Sequence, residues 1–215
     1  KSQRDRARAS VKYESWTGFG GAFADVAKVT GGTEFLGYES DESESTVVGI
    51  IVEGAAVESA TEGQIAEIVL DRTPFYGEQG GQVGDSGVLS SEGVVFRVDD
   101  AVIPVAGLIS HRGMVESGEI TKGMSVSAAI DAARRERIRR NHTCTHLLHW
   151  ALRLVLGDHV KQSGSYVAPE RMRFDFTHFE GVTAEQLNKV ERMTNAKIME
   201  NHPVRAYETS LASAR

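Results

Sequence analysis

The 215-residue chain holds a single cysteine, Cys144, and four prolines. One cysteine excludes an internal disulfide and agrees with a reducing, cytoplasmic setting. No apolar run approaches the roughly 18 residues that a membrane-spanning helix needs, so no membrane partner is expected. No signal peptide is recognisable. Excess basic charge is also missing: the net charge is −6 at pH 7. That argues against coating nucleic acid by bulk charge and leaves room for a local basic patch. The first residue is Lys1 rather than Met, and both ends read as cuts in a longer protein. Apolar residues make up 40% and charged residues 25%, an ordinary balance for a globular domain with a real core.

The pattern along the chain predicts an α+β protein: a small β-barrel followed by an α/β subdomain with a long helix, antiparallel strands and a second helix. Residues 1–30 read as a helix end (Lys1 to Lys12) and a connector (Tyr13 to Ala24) from an upstream domain. Residues 31–127 read as the barrel. Its short apolar runs are Phe35 to Tyr38, Thr46 to Glu53, Gly63 to Leu70, Gly87 to Leu89, Gly93 to Val98 and Gly107 to Val115, punctuated by Gly, Asp, Ser and Glu. Residues 128–215 read as the α+β part. Asp131 to Leu156 lacks Pro and Gly and predicts a long helix, capped by Asp131 and ended by Gly157. Val160 to Val167 and Arg171 to Thr177 predict two strands. Thr183-Ala184-Glu185-Gln186 matches a capping box, opening a helix to about Asn201. Val204 to Tyr207 reads as the start of another strand.

The sharpest local motif is Asn141-His142-Thr143-Cys144-Thr145-His146. Residues four apart share one helix face, which brings both imidazoles within reach of one zinc ion. A satisfied or solvated pair of histidines is the plainer reading. A zinc protease would need Glu after the first His, where this chain has Thr143. Cys144 lies about 200° around the helix from each His and should point away. It reads as a small apolar residue. His149 lies about 10 Å along the axis from His142 and cannot easily share a metal with both histidines. No CxxxH, CxxC or HxH completes the site.

Thr73 to Gly87 is rich in glycine, and contains Gly77, Gly80, Gly81 and Gly84. Such spacing permits positive φ and a close approach of a ligand to the backbone; a series of tight barrel turns is the alternative. It matches neither a phosphate loop nor a dinucleotide fingerprint. Arg134, Arg135, Arg137, Arg139 and Arg140 spread around the predicted helix. They read either as a solvated face or as phosphate contacts.

Taken together, these segments resemble alanyl-tRNA synthetases and their stand-alone editing relatives. Arg72-Thr73-Pro74-Phe75-Tyr76 and Glu78 to Asp85 are similar to that family's barrel motif, with Gln79 where the family more often has Ser. Arg140 to His149 is similar to its first metal motif. His159 to Ser165 and Arg173-Phe174-Asp175-Phe176 follow in the family's order. The resemblance covers nearly the whole chain. It implies a fragment of alanine–tRNA ligase holding most of the editing domain, which hydrolyses serine or glycine wrongly esterified to alanine tRNA. Fit alone discriminates poorly between such small amino acids, so a second hydrolytic site is needed.

The same resemblance implies zinc held by His142 and His146 together with a Cys and a His beyond this chain, so that the fragment alone is expected to be inactive. ATP and Mg would serve only a separate aminoacylation domain. Thr145 and Gln162 would line the editing pocket, with Ser165 nearby. Gly80, Gly81 and Gln82 would approach the substrate end. Arg134, Arg135, Arg139 and Arg140 would contact the tRNA acceptor end. A metal-dependent hydrolase of another ester or amide, and a non-catalytic RNA-binding module, are the competing readings.

Overall fold

The computed structural model describes residues 20–204. The chain divides into two compact units, the first running to Ile138 and the second starting at Arg139. The segments read as a helix end at residues 1–12 and as a strand start at residues 205–207 lie outside the described residues.

The first unit is built on a closed antiparallel barrel. Its strands are β2 (Glu42–Val52), β5 (Ile65–Leu70), β7 (Gly87–Ser91), β8 (Val94–Val105), β9 (Leu108–Ser117) and β11 (Ser125–Ile130). Neighbours run β2-β5-β9-β8-β7-β11, and β11 pairs back onto β2 through Ser125↔Thr46 to Ala129↔Glu42, closing the ring. Short pieces surround it: β1 (Glu34–Phe35), β3 (Ala55–Val57), β4 (Ser59–Thr61), β6 (Arg72–Thr73) and β10 (Glu119–Thr121). The strands alternate between inward apolar and outward polar positions, as closure requires. Val47, Ile68, Leu70, Phe75, Leu89, Phe96 and Val126 fill the interior.

Two readings of the sequence are corrected here. Residues 20–24 were expected in a connector, but α1 (Gly20–Thr30) is a helix. Gly20 and Gly21 hide its start, while Phe23, Val26 and Ala27 form an i, i+3, i+4 apolar stripe. That stripe covers Ile51, Val69 and Leu108 on the outside of the barrel. The strand expected to stop at Val98 continues to Val105. Asp99-Asp100 looks like a turn in sequence, yet the ladder with β9 absorbs it as a register shift between Val98 and Asp100.

A helix, α2 (Ala132–Leu156), follows the barrel. Asp131 caps it: its Oδ1 accepts from the Arg134 amide at 2.8 Å. Gly157, at φ 117°, ends it. The second unit takes the helix from Arg139 onward, a hairpin of β12 (Gln162–Val167) and β13 (Met172–Phe176), and α3 (Ala184–Met199). The capping box of α3 is present, with Thr183 and Gln186 bonded reciprocally. Ala151, Leu152, Val160 and Val190 form this unit's core, with Leu148, Phe174 and Phe176 against them. Val204 is not in a strand.

Candidate functional site: a histidine pair and a clasped glycine turn

The glycine-rich segment is a tight hairpin. Gly80 and Gly81 have φ of 61° and 87°, two successive left-handed residues. Gln82 N–H donates to Gln79 O at 3.0 Å and Gln79 N–H to Gln82 O at 3.2 Å. A two-residue loop with both central φ positive favours glycine at both places. Gly84 is needed for a different reason: a Cβ there would lie 1.9 Å from the Ala101 carbonyl oxygen.

Below the turn, Asp85 is almost wholly buried. Its carboxylate accepts from the Tyr76 amide at 2.7 Å and from Arg135 Nε at 2.9 and 3.0 Å, and it is ion-paired with the Arg135 NH2 group. The remaining donors of Arg135 reach Gly37 O and Pro74 O. Arg134 donates to Gly84 O at 2.8 Å. The first turns of α2 therefore clasp the glycine hairpin. Arg135 is a structural cation with no face for phosphate. Of the three residues expected to approach a substrate, Gly80 and Gly81 are accessible and Gln82 is buried.

Two titratable groups inside this unit are displaced. His111 is fully buried, with Nδ1 2.8 Å from Ile68 O and Nε2 2.7 Å from Thr73 Oγ1. The Ile68 carbonyl can only accept, so Nδ1 carries the proton and Thr73 donates to Nε2. Burial lowers this imidazole to about 4. Burial, helped by Glu78, raises Asp100 to about 6.

In the second unit the two predicted metal-site histidines come together. His142 and His146 stack with ring centroids 5.0 Å apart and planes at 25°, on an exposed face of α2. Partial burial, and next the neighbouring His146, lower the pKa of His142. Cys144 is half-buried, its thiol pushed up by burial, away from the reactive range. Two imidazoles supply two donors, and no group of three or more His, Cys, Asp or Glu suited to a metal exists among the described residues. The residues present thus fit half of a zinc site.

Thr145 lies on the same helix, buried, with Oγ1 donating to Asn141 O at 2.9 Å. Asn141 Nδ2 in turn holds Ala168 O at 2.7 Å, tying α2 to the hairpin turn. Gln162 is exposed at the first position of β12, opposite Phe176, and Ser165 is half-buried opposite Phe174. Arg139 and Arg140 are exposed. A groove of about 280 Å³ follows the helix along His146, His149, Trp150, Arg153, Leu154 and Asp158. The sequence reading gave His159 a place in the resemblance but no role, and passed over His178 and Phe179; His159 Nε2 and His178 Nδ1 lie 2.8 Å apart, with Phe179 stacked on His159. Histidine and aromatic residues flanking the two strand patterns were the available signal.

The charges divide unevenly. In residues 20–138 acidic side chains outnumber basic ones by more than two to one, whereas residues 139–204 hold slightly more basic than acidic ones. No helix among the described residues is long and apolar enough to cross a membrane.

The chain belongs to the class II (A) tRNA synthetase family, whose model matches residues 1–134. Within that family its relatives are alanine–tRNA ligases. It is 46% identical over 194 residues to "Alanine--tRNA ligase" of Mesorhizobium japonicum, covering 88% of this chain and 22% of that protein. Against the protein of the same name from Shewanella loihica it is 45% identical, covering 99% of this chain and 24% of the relative. The Anaeromyxobacter dehalogenans relative is 46% identical over 98% of the chain and 23% of its own length. The chain thus spans about a quarter of the length of the curated relatives it matches.

Proposed function

We propose that this chain is most of the editing domain of a cytoplasmic alanine–tRNA ligase, and that the complete domain hydrolyses the ester joining serine or glycine to the 3′ end of alanine tRNA. The whole protein would also ligate alanine, using ATP and Mg in a domain outside this chain. The observation that carries the reading is the stacked His142–His146 pair on an exposed helix face, in a chain about 45% identical to alanine–tRNA ligases.

His142 and His146 would hold half of a zinc site whose other ligands come from outside the described residues. When bound, zinc would supply Lewis acidity toward an ester carbonyl or a lowered pKa of water. This chain's own residues supply the surroundings. Gln162 offers both an amide donor and an acceptor at the exposed end of β12. Thr145 presents a buried methyl and a hydroxyl whose proton is already held by Asn141 O, leaving its lone pairs as acceptors. That arrangement suits a pocket that accepts a small hydroxylated side chain and refuses a larger one. Arg139 and Arg140 would take phosphates of the acceptor stem, with Arg134 contributing beyond its bond to Gly84.

The test is deacylation of serine-charged alanine tRNA by the full-length protein carrying His142→Ala or Gln162→Ala. Loss of deacylation with alanine ligation intact is expected. Unchanged deacylation in both variants would overturn the reading.

A further inference from the structure

Phe179 is among the most exposed large apolar side chains in the described chain, 86% exposed. It is nevertheless held in a defined orientation. Its ring stacks on His159 with centroids 4.4 Å apart and planes at 25°. His159 is itself fixed by the 2.8 Å contact of its Nε2 with His178 Nδ1, and those two rings stack at 5.1 Å. One face of Phe179 is thus backed by imidazole, and the other is open to solvent.

The place of this stack in the hairpin matters. His159 precedes β12 and His178 follows β13, and the Thr177 amide donates to Lys161 O at 3.0 Å between them. The stack therefore extends the end of the hairpin where Gln162 stands opposite Phe176. Lys161 is exposed at this end. Asp158, the residue before His159, lines the groove that begins at His146. An exposed aromatic ring backed by imidazole, at a hairpin end that also carries an exposed cation, is what an unpaired nucleobase stacks on.

We propose that Phe179, backed by His159, is the stacking platform for an unpaired base at the 3′ end of the RNA, so that the terminal ester lies beside Gln162. This rests on the acceptor-end reading of the site. It assigns Phe179 to binding and positioning rather than to the hydrolytic step.

The experiment uses this chain and a small RNA hairpin with an unpaired 3′ end containing 5-iodocytidine, which crosslinks to a stacked aromatic under near-ultraviolet light. Affinity is measured alongside the crosslinked peptide. Phe179 should carry the crosslink. Phe179→Ala should weaken binding roughly 5- to 150-fold, the span of one aromatic–base stack, while Phe179→Tyr stays near wild type. The ring is exposed, so neither substitution disturbs a packed core. RNA binding that is unchanged in Phe179→Ala, with the crosslink elsewhere, would overturn the platform and leave the acceptor-end reading standing. No RNA binding by the wild-type chain or by the full-length protein would overturn both.

Discussion

Asp85 and Arg135 form an ion pair in which both side chains are buried, 2% and 8% exposed, although fifty residues separate them. Every donor group of the guanidinium and both carboxylate oxygens have protein partners. Removing one partner strands a charge without water. Asp85→Ala or Arg135→Ala should therefore destabilise the first unit by roughly 3–5 kcal/mol. The double variant should cost less than the sum of the two singles. Thermal unfolding of the four proteins measures the coupling, and strict additivity would contradict a pair.

His111 makes the stability of the first unit depend on pH. Its pKa is about 4 when folded against 6.5 for an ordinary imidazole, so the unfolded chain binds the proton first as pH falls. The His111 contribution is complete above pH 6.5 and declines as pH drops toward 4, by on the order of 3 kcal/mol in total. Urea unfolding between pH 4 and 7 should show this slope, and His111→Asn should flatten it. An equal slope in the variant would exclude the histidine as its source.

Asp100 acts in the opposite sense. Its folded pKa of about 6 exceeds the ordinary 3.8, so the folded state holds its proton more tightly. Ionisation costs stability as pH rises from 3.8 to 6, and that cost persists above. Asp100→Asn should stabilise the first unit at pH 7–8 by about 1–2 kcal/mol, allowing for partial solvent access, and should give no gain below pH 3.8. A uniform effect across the range would point to packing instead.

Thr145→Phe in the complete protein should abolish deacylation of serine-charged tRNA while alanine ligation persists. The position is buried and bonded to Asn141 O, so the larger ring must fill neighbouring space. Helicity and Trp150 fluorescence check that α2 survives. Normal deacylation by a folded variant would remove Thr145 from the pocket.

Arg139→Ala with Arg140→Ala should weaken tRNA binding and reduce the steepness of its salt dependence by roughly 1–2 in the log–log slope. Affinity measured across a salt series provides the check. An unchanged slope would mark both side chains as solvated surface.

The contrast among these arginines shows what a sequence can carry. Asp131, Gly157 and the Thr183–Gln186 box set helix ends through bonds a few residues long, and all are visible in the string of letters. Which arginine of the run is buried depends on Asp85, fifty residues away, and no local pattern encodes that. The short strands could be read from their punctuation, but the pairing of Thr46 with Ser125 that closes the ring could not. Helix α1 was hidden because two glycines at its start resemble a loop. His111 stands between Ile109 and Gly113 on an inward-facing register, a period-2 signal for burial that a search for motifs passes over. The His142–His146 spacing, by contrast, needed only helix geometry to become a stacked pair.

Ring closure by β2 and β11 also has a meaning in time. On the ribosome β2 emerges early and keeps an open edge while the intervening strands appear. Its partner is complete only when Ile130 has been made. Loop-closure entropy on that scale slows assembly and leaves one unpaired strand edge exposed to neighbouring chains in the meantime. Arg134 and Arg135 are synthesised directly after that last strand, so the side chains that clasp the glycine hairpin arrive just as the ring becomes able to shut.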